Sequence, residues 1–186
     1  MERLIYWGTE ADEKFSRLLY DKNKYQTACQ WIEWLIHGFP WFIFATLALI
    51  ISYGKNFDPI TQYGFVILNI GLYMDLILVA IIKFYIHRDR PLKTYLKYME
   101  HTVDIYSFPS GHCSRAAMIV VMFYNYHPLL AIPFIPLPFI VGLSRVALGR
   151  HYITDVLAGV FFGFLEGRLM LTIPYGVNNV IRELLK

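Results

Sequence analysis

Two long apolar runs constrain the fold of this chain more than any other feature of its sequence. Residues 34–53 form a run of 20 residues, and residues 63–86 form a second run of 24 residues. An α-helix rises about 1.5 Å per residue, so about 20 residues are enough to cross the hydrocarbon core of a bilayer. Both runs therefore predict membrane-spanning helices.

The composition of the chain agrees with a membrane protein and excludes several other classes. Hydrophobic residues make up 56% of the 186 residues and charged residues 17%, against about 45–50% and about 25% in soluble domains. The net charge of +3 is too small to indicate a nucleic-acid partner. Two cysteines, Cys29 and Cys113, are too few for a disulfide scaffold or a four-cysteine zinc site. The sequence thus predicts a compact multi-pass protein of the bilayer.

The remaining apolar segments complete an all-α transmembrane bundle of about five spans. Residues 111–125 cover only about 22 Å as a helix, so this span is expected to begin inside a recess. Three prolines are expected to bend the start of the next span, 129–147. The last span, 152–173, carries three glycines at four-residue spacing. This stripe favours close packing within the chain over a dimer seam.

An amphipathic pattern precedes the first span. Residues 9–37 place apolar side chains at helical spacing, which predicts one helix that lies in the membrane interface or docks on the bundle. The chain then divides into an N-terminal amphipathic region, a membrane core and a short tail, at residues 1–37, 38–174 and 175–186.

Polar residues collect at the ends of the spans, and the alternating direction of the spans brings these ends to one membrane edge. The second span ends, the third begins, the fourth ends and the fifth begins at this edge. The residues concerned are Lys83, Arg90, Pro109 to His112, Ser144, Arg145, His151 and Asp155. Charged groups at such positions are costly and usually functional.

This set of side chains suits the transfer of a phosphoryl group. Cations, together with the free N–H groups at a helix N-terminus near Ser110 and Gly111, bind phosphate oxygens. One histidine attacks phosphorus, and the other protonates the leaving oxygen. His151 and Asp155 are one helical turn apart, so the carboxylate is placed to fix the tautomer and orientation of the imidazole.

The order and spacing of these residues resemble the type 2 phosphatidic acid phosphatase superfamily, which also contains the vanadium haloperoxidases. The resemblance covers about residues 60–170 and implies a helical core like that of the acid phosphatases and vanadium haloperoxidases. The three matching signatures are Lys83 to Pro91, Pro109 to His112 and Ser144 to Asp155.

The resemblance also implies a role for each residue of the site. His151 resembles the nucleophile that becomes phosphohistidine, Asp155 the residue that orients it, and His112 the general acid. The residues that resemble the phosphate clamp are Lys83, Arg90, Ser110, Gly111 and Arg145. The superfamily needs no metal ion or other cofactor. Arg115, which follows His112 by almost one turn, is predicted to bind a second phosphate, the alternative being a pairing with lipid headgroups or loop carbonyls.

Three short runs look like the polyisoprenoid diphosphate phosphatase branch, which acts on presqualene and farnesyl diphosphates. These runs are residues 106–112, 114–117 and 142–146. The branch resemblance implies an enzyme of the endoplasmic reticulum or nuclear envelope that hydrolyses isoprenoid diphosphates and monophosphates. Alternatives are a broader phosphatase for phosphatidate, lysophosphatidate and sphingoid phosphates, or a non-catalytic scaffold of the same fold. Vanadate-dependent oxidation is disfavoured by five apolar spans, and the oligomeric state is left open.

Overall fold

The computed structural model of the chain describes residues 10–19, 25–92 and 105–184, and the remaining residues lie outside the described part. Within these ranges the chain is a series of helices with short connections and no strand. The helices are α1 (Glu10–Leu18), α2 (Gln26–Ile36), α3 (Gly38–Gly54), α4 (Pro59–Ile86), α5 (Gly111–Tyr126), α6 (Pro128–Ala131), a 3-10 turn (Ile132–Phe134), α7 (Leu137–Ala147), α8 (Ile153–Met170) and α9 (Gly176–Leu184).

Helix α4, with 28 residues, shows how local chemistry sets the ends of a span. The Asp58 side chain accepts hydrogen bonds from the N–H groups of Ile60 and Thr61, and Pro59 occupies the first turn, where no N–H donor is needed. Hydrogen bonds to Thr61 are the main cause that lowers the pKa of the Asp58 carboxyl, so the cap stays charged. The helix ends at His87, whose backbone is left-handed with φ of 47°.

Three helical stretches of the described chain are long and apolar enough to cross a membrane, namely Gln26–Gly54, Pro59–Ile86 and Pro128–Ala147. The two other predicted spans correspond to α5, with 16 residues, and α8, with 18 residues. These two helices pack against each other and carry polar side chains on the faces they share. The predicted all-α multi-pass transmembrane bundle is therefore confirmed.

The glycine stripe of α8 brings this helix against α5. A Cβ atom added at Gly163 would lie 2.0 Å from the carbonyl oxygen of Ser114, and one at Gly159 would lie 2.5 Å from that of Ser110. At Gly167 the added atom would lie 2.7 Å from a side-chain carbon of Val121. Contact this close requires glycine, which confirms the prediction of packing within the chain.

The predicted single helix over residues 9–37 is wrong. Helix α1 ends at Leu18, a bend follows at Tyr25, and α2 begins at Gln26. Tertiary contacts explain the break, because Ser16 of α1 accepts a hydrogen bond from Ile153 at the start of α8 while α2 packs on α7. The first apolar stretch begins at Gln26 and not at residue 34, and it is interrupted at His37, whose extended backbone separates α2 from α3.

The predicted proline bend is confirmed in the fourth span. Helix α6 is followed by the 3-10 turn before α7 begins. The residues responsible are Pro133, Pro136 and Pro138. Close approach of α7 to α8 then depends on Gly142, because an added Cβ there would lie 2.2 Å from Val156.

Candidate active site

His151 lies in the connection between α7 and α8 and is 1% exposed. Its Nδ1 atom is 2.7 Å from the carbonyl oxygen of Ser107. A carbonyl oxygen only accepts hydrogen bonds, so Nδ1 must carry the proton, and Nε2 then keeps a free lone pair. The geometry thus presents Nε2 as the nucleophilic atom of the ring.

Electrostatics keep His151 neutral. Burial first, and then the cations Arg90 and Arg145, hold the pKa of the His151 imidazole well below its ordinary value. Lys83 and His112 contribute in the same direction. These influences also show that the predicted clusters from α4, α5 and α7 converge on this one ring, as the alternation of spans requires.

Asp155 lies in the first turn of α8 and is fully buried. One carboxylate oxygen accepts from the backbone N–H of Tyr152 at 2.8 Å and lies 3.7 Å from Nδ1 of His151. The other oxygen binds a guanidinium nitrogen of Arg88 at 2.5 Å. The carboxylate thus caps α8 and lies near the imidazole, while the direct hydrogen bond to the imidazole comes from the main chain of Ser107.

The cations predicted to bind phosphate are buried around the same point. Lys83, in the last turn of α4, and Arg145, near the end of α7, are each 3% exposed. Arg90 is 8% exposed and donates to the carbonyl oxygens of Ile105 and Arg150, each at 3.3 Å. Three buried cations around one point form a positive pocket, which favours a phosphate group.

Helix α5 points its N-terminus at this pocket. Ser110 caps the helix, and its N–H donates to the carbonyl oxygen of Asp155 at 3.1 Å, which fixes the helix start beside α8. The N–H groups of Gly111 and His112 fall in the first turn, where a helix has no carbonyl to offer them. Among the described residues, Ser110 Oγ and His112 Nε2 are buried without a hydrogen-bond partner. Such atoms are suited to a ligand that completes them.

Sequence reasoning missed Asp12, which lies on α1, and Arg88, which follows α4; the two side chains form an ion pair beside the site. Arg88 donates to Asp12 at 2.8 Å as well as to Asp155, and its guanidinium lies 4.1 Å from the centre of the Tyr152 ring. Asp12 also accepts from the hydroxyl and N–H of Thr154. No spacing rule links Asp12 to Arg88, because the pairing depends on how α1 docks.

Sequence reasoning also missed a carboxylate on α2. Glu33 is 9% exposed, and its Oε1 atom binds Arg145 at 2.5 Å and also Arg150. One predicted member of the phosphate clamp is therefore held by an acidic residue from outside the predicted membrane core. The only signal in the sequence was the presence of an acidic residue beside a long apolar run.

Arg115 points into the bundle. Its guanidinium binds the Asp75 carboxylate at 2.8 Å and the carbonyl oxygen of Ile36 at 3.3 Å. Ser114 donates to Glu166 at 3.1 Å in the same region. Asp75 and Glu166 thus tie α4 and α8 to α5. The contact between Arg115 and a second phosphate stays a prediction.

A cavity of about 370 Å³ opens beside His151. Its lining comes from α1, the end of the second span and the α7–α8 connection, namely Ser16, Arg17, Pro91, Leu92, Val146, His151 and Tyr152. Within the described ranges, no three His, Cys, Asp or Glu side chains are grouped to hold a metal ion. His151 lines the cavity, whereas Lys83, Arg90, Arg145 and His112 do not.

The chain is similar in sequence to known proteins. The chain is similar to a probable lipid phosphate phosphatase beta of Arabidopsis thaliana, at 30% identity over 55% of this chain and 62% of the relative. It is similar to phosphatidylglycerophosphatase B of Bacillus subtilis, at 32% identity over 64% of this chain and 62% of the relative. The matches thus span less than two thirds of the length of these relatives.

A solved structure resembles the whole bundle. The crystal structure of a transmembrane PAP2 type phosphatidylglycerolphosphate phosphatase from Bacillus subtilis matches with a TM-score of 0.66 and 30% identity. The match covers 92% of this chain and 86% of that one. The family model described as PAP2 superfamily matches residues 63–178, which include His112, His151 and every predicted clamp residue. With this match over more than half of its length, the chain belongs to the PAP2 superfamily.

Proposed function

We propose that the protein is a membrane-embedded lipid phosphate phosphatase that works through a phosphohistidine intermediate. The observation that carries the proposal is the buried ring of His151, whose Nδ1 atom is bound to the Ser107 carbonyl oxygen and whose Nε2 atom is left as the nucleophile. Similarity to a phosphatidylglycerophosphatase and to a probable lipid phosphate phosphatase supports the substrate class.

In the first step, Nε2 of His151 attacks phosphorus while the bond from phosphorus to the lipid oxygen breaks. His112 gives its proton to that oxygen, so that the lipid leaves as an alcohol, or as a monophosphate when the substrate is a diphosphate. Lys83, Arg90 and Arg145 stabilise the negative charge on the three equatorial oxygens. The Ser107 carbonyl stabilises the imidazole as it becomes positively charged.

In the second step, water attacks the phosphohistidine. His112, now without its proton, takes one from the water as the oxygen bonds to phosphorus. The bond from phosphorus to Nε2 breaks, and inorganic phosphate and the original enzyme result. Side-chain cations provide the charge that a metal ion supplies in other phosphatases, so the proposed reaction needs no metal.

The narrower substrate proposal is an isoprenoid diphosphate or monophosphate, with a location in the endoplasmic reticulum or nuclear envelope. The runs around His112 and Arg145 support it. The alternative is a monophosphate such as phosphatidate. One observation favours this alternative, since the Arg115 guanidinium is bound to Asp75 at 2.8 Å and to the carbonyl oxygen of Ile36.

The test is turnover of lipid phosphates by purified protein. Wild type is expected to release phosphate in excess EDTA and to be inhibited by vanadate, which imitates five-coordinate phosphorus. His151→Ala should lose at least a thousandfold in rate, about the scale seen when a nucleophile is removed. His127→Ala is the matched control, because His127 is an exposed histidine at the opposite end of α5.

More than a few per cent of wild-type activity in His151→Ala would contradict the nucleophile assignment. A strict need for magnesium or zinc would contradict the metal-free mechanism. Comparing farnesyl diphosphate, farnesyl monophosphate and phosphatidate in the same assay separates the substrate alternatives. No turnover of any lipid phosphate would favour the non-catalytic scaffold.

A further inference from the structure

Glu33 brings a negative charge to the place where phosphate is expected. Its Oε1 atom is bound by Arg145 at 2.5 Å and also by Arg150. Arg145 is 3% exposed and Glu33 is 9% exposed, so water screens their interaction weakly. Glu33 belongs to α2, which precedes the region matched by the family model, residues 63–178.

We propose that Glu33 is a positioning residue that acts as an internal anion, holding Arg145 and Arg150 in the free enzyme and weakening the hold of the site on phosphate. The proposal rests on the proposed phosphatase function. A guanidinium binds carboxylate and phosphate through the same pattern of donors. A phosphate that engages Arg145 therefore meets a guanidinium whose Nη1 atom already lies 2.5 Å from the Glu33 carboxylate.

The contact of Glu33 with Arg145 and Arg150 also favours the release of inorganic phosphate. Inorganic phosphate leaves a buried pocket of several cations only if its attraction to them is limited. A carboxylate beside the pocket repels the departing anion, because like charges repel and a buried site screens them weakly. Glu33 also fixes the two guanidinium groups when no phosphate is bound, so the clamp is ready for the next substrate.

The second carboxylate from the N-terminal region has different partners. Asp12 accepts hydrogen bonds from the hydroxyl and N–H of Thr154 as well as from Arg88, which ties α1 to the start of α8. Arg88 in turn binds Asp155. Asp12 therefore supports the start of α8, whereas Glu33 pairs directly with Arg145, a residue predicted to bind phosphate.

The experiment measures the affinity of orthovanadate for wild type and Glu33→Gln in two ways. One is inhibition of lipid phosphate hydrolysis, and the other is the increase in thermal midpoint with vanadate concentration, which needs no turnover. Glu33→Gln keeps the shape and one acceptor oxygen but removes the charge. We expect it to bind vanadate at least tenfold more tightly than wild type, a change of about 1.4 kcal/mol.

Two further variants complete the design. Glu33→Asp withdraws the carboxylate from Arg145 by one methylene and is expected to bind vanadate about threefold more tightly, a change of about 0.65 kcal/mol. It serves as the second test where Glu33→Gln purifies poorly. Glu13→Gln is the matched control, because Glu13 lies on α1 and pairs only loosely with the exposed Arg17, at 3.9 Å.

Weaker vanadate binding in both Glu33 variants would overturn the proposal, because it would mean that Glu33 only holds the arginines in place. Unchanged binding would also overturn it, by placing Glu33 off the path of the phosphate. Failure of the proposed function is distinguishable. In that case wild type itself hydrolyses no lipid phosphate, while the thermal measurement still reports how Glu33 affects anion binding.

Discussion

Helix α5 carries two polar groups, almost one turn apart, that meet opposite surroundings. At the membrane edge, Nε2 of His112 is buried with no hydrogen-bond partner among the described residues. Inside the bundle, the guanidinium of Arg115 is bound to Asp75 and to the carbonyl oxygen of Ile36. One helix thus supplies a residue of the proposed active site and, one turn deeper, an ion pair that ties the bundle together.

The difference indicates that side chains at the membrane edge serve the proposed reaction, whereas side chains deeper in the bundle serve stability. Among the described residues, buried polar atoms without a hydrogen-bond partner occur at the edge, at Ser110 Oγ and His112 Nε2, and also in the interior, at Asp75 Oδ1, Arg115 Nε and Glu166 Oε1. What distinguishes the interior is that its charges are paired. A buried charge must be matched inside the protein, because the surrounding lipid offers no compensation. The edge is therefore expected to affect rate, and the interior to affect stability.

The largest expected effect is on rate, at the edge. His112→Gln should lower kcat by about a hundredfold to ten-thousandfold, since a general acid contributes that much to a proton transfer. Its thermal midpoint in detergent should stay close to that of wild type. A large fall in thermal midpoint with the rate preserved would reverse the distinction between edge and interior.

The next effect is on stability, in the interior. Arg115→Ala leaves the Asp75 carboxylate buried without its cation, which typically costs about 3–5 kcal/mol. Thermal unfolding in detergent measures the loss. Asp75→Asn is the companion variant, because it breaks the same ion pair from the other side and should also destabilise the protein.

The same Arg115 variant tests the predicted contact with a second phosphate. Such a contact predicts a tenfold to hundredfold loss in the ratio of kcat/KM for farnesyl diphosphate over farnesyl monophosphate, given about 1.5–3 kcal/mol for a hydrogen bond to a charged group. Asp75→Asn keeps the guanidinium and should keep the ratio. An unchanged ratio in Arg115→Ala would leave Arg115 with the interior role alone.

The smallest expected effect is the pH dependence of stability. In the folded protein the pKa of His151 is held well below its ordinary value, which is about 6.5. Below about pH 6.5 the unfolded chain therefore binds a proton at this imidazole, whereas the folded protein does not. Stability is therefore full above about pH 6.5 and falls as the pH drops below it. The thermal midpoint at pH 5.5 and 7.5 should differ less in His151→Asn than in wild type. An equal difference in both proteins would mean that other groups cause the pH dependence.

Much of the architecture followed from the sequence. The apolar runs at residues 34–53 and 63–86 are long because each must cross a bilayer, and this requirement is visible without any tertiary contact. The order of polar residues at the ends of the spans predicted which ends converge. The break between α1 and α2 was not predictable, because it depends on two different docking partners, α8 and α7.

The sequence by itself determined that this is a helical membrane protein and which side chains reach its polar edge, because hydrophobic length and motif spacing are local properties. Only the tertiary structure decided what holds those side chains. The orienting acceptor for His151 is the main-chain carbonyl of Ser107, and every residue has such a carbonyl, so no pattern singles it out. The partner of Arg150 is Glu33, 117 positions earlier, and packing alone brings the two together. A buried charge needs an opposite charge beside it, and the packing of the helices determines which residue supplies that charge.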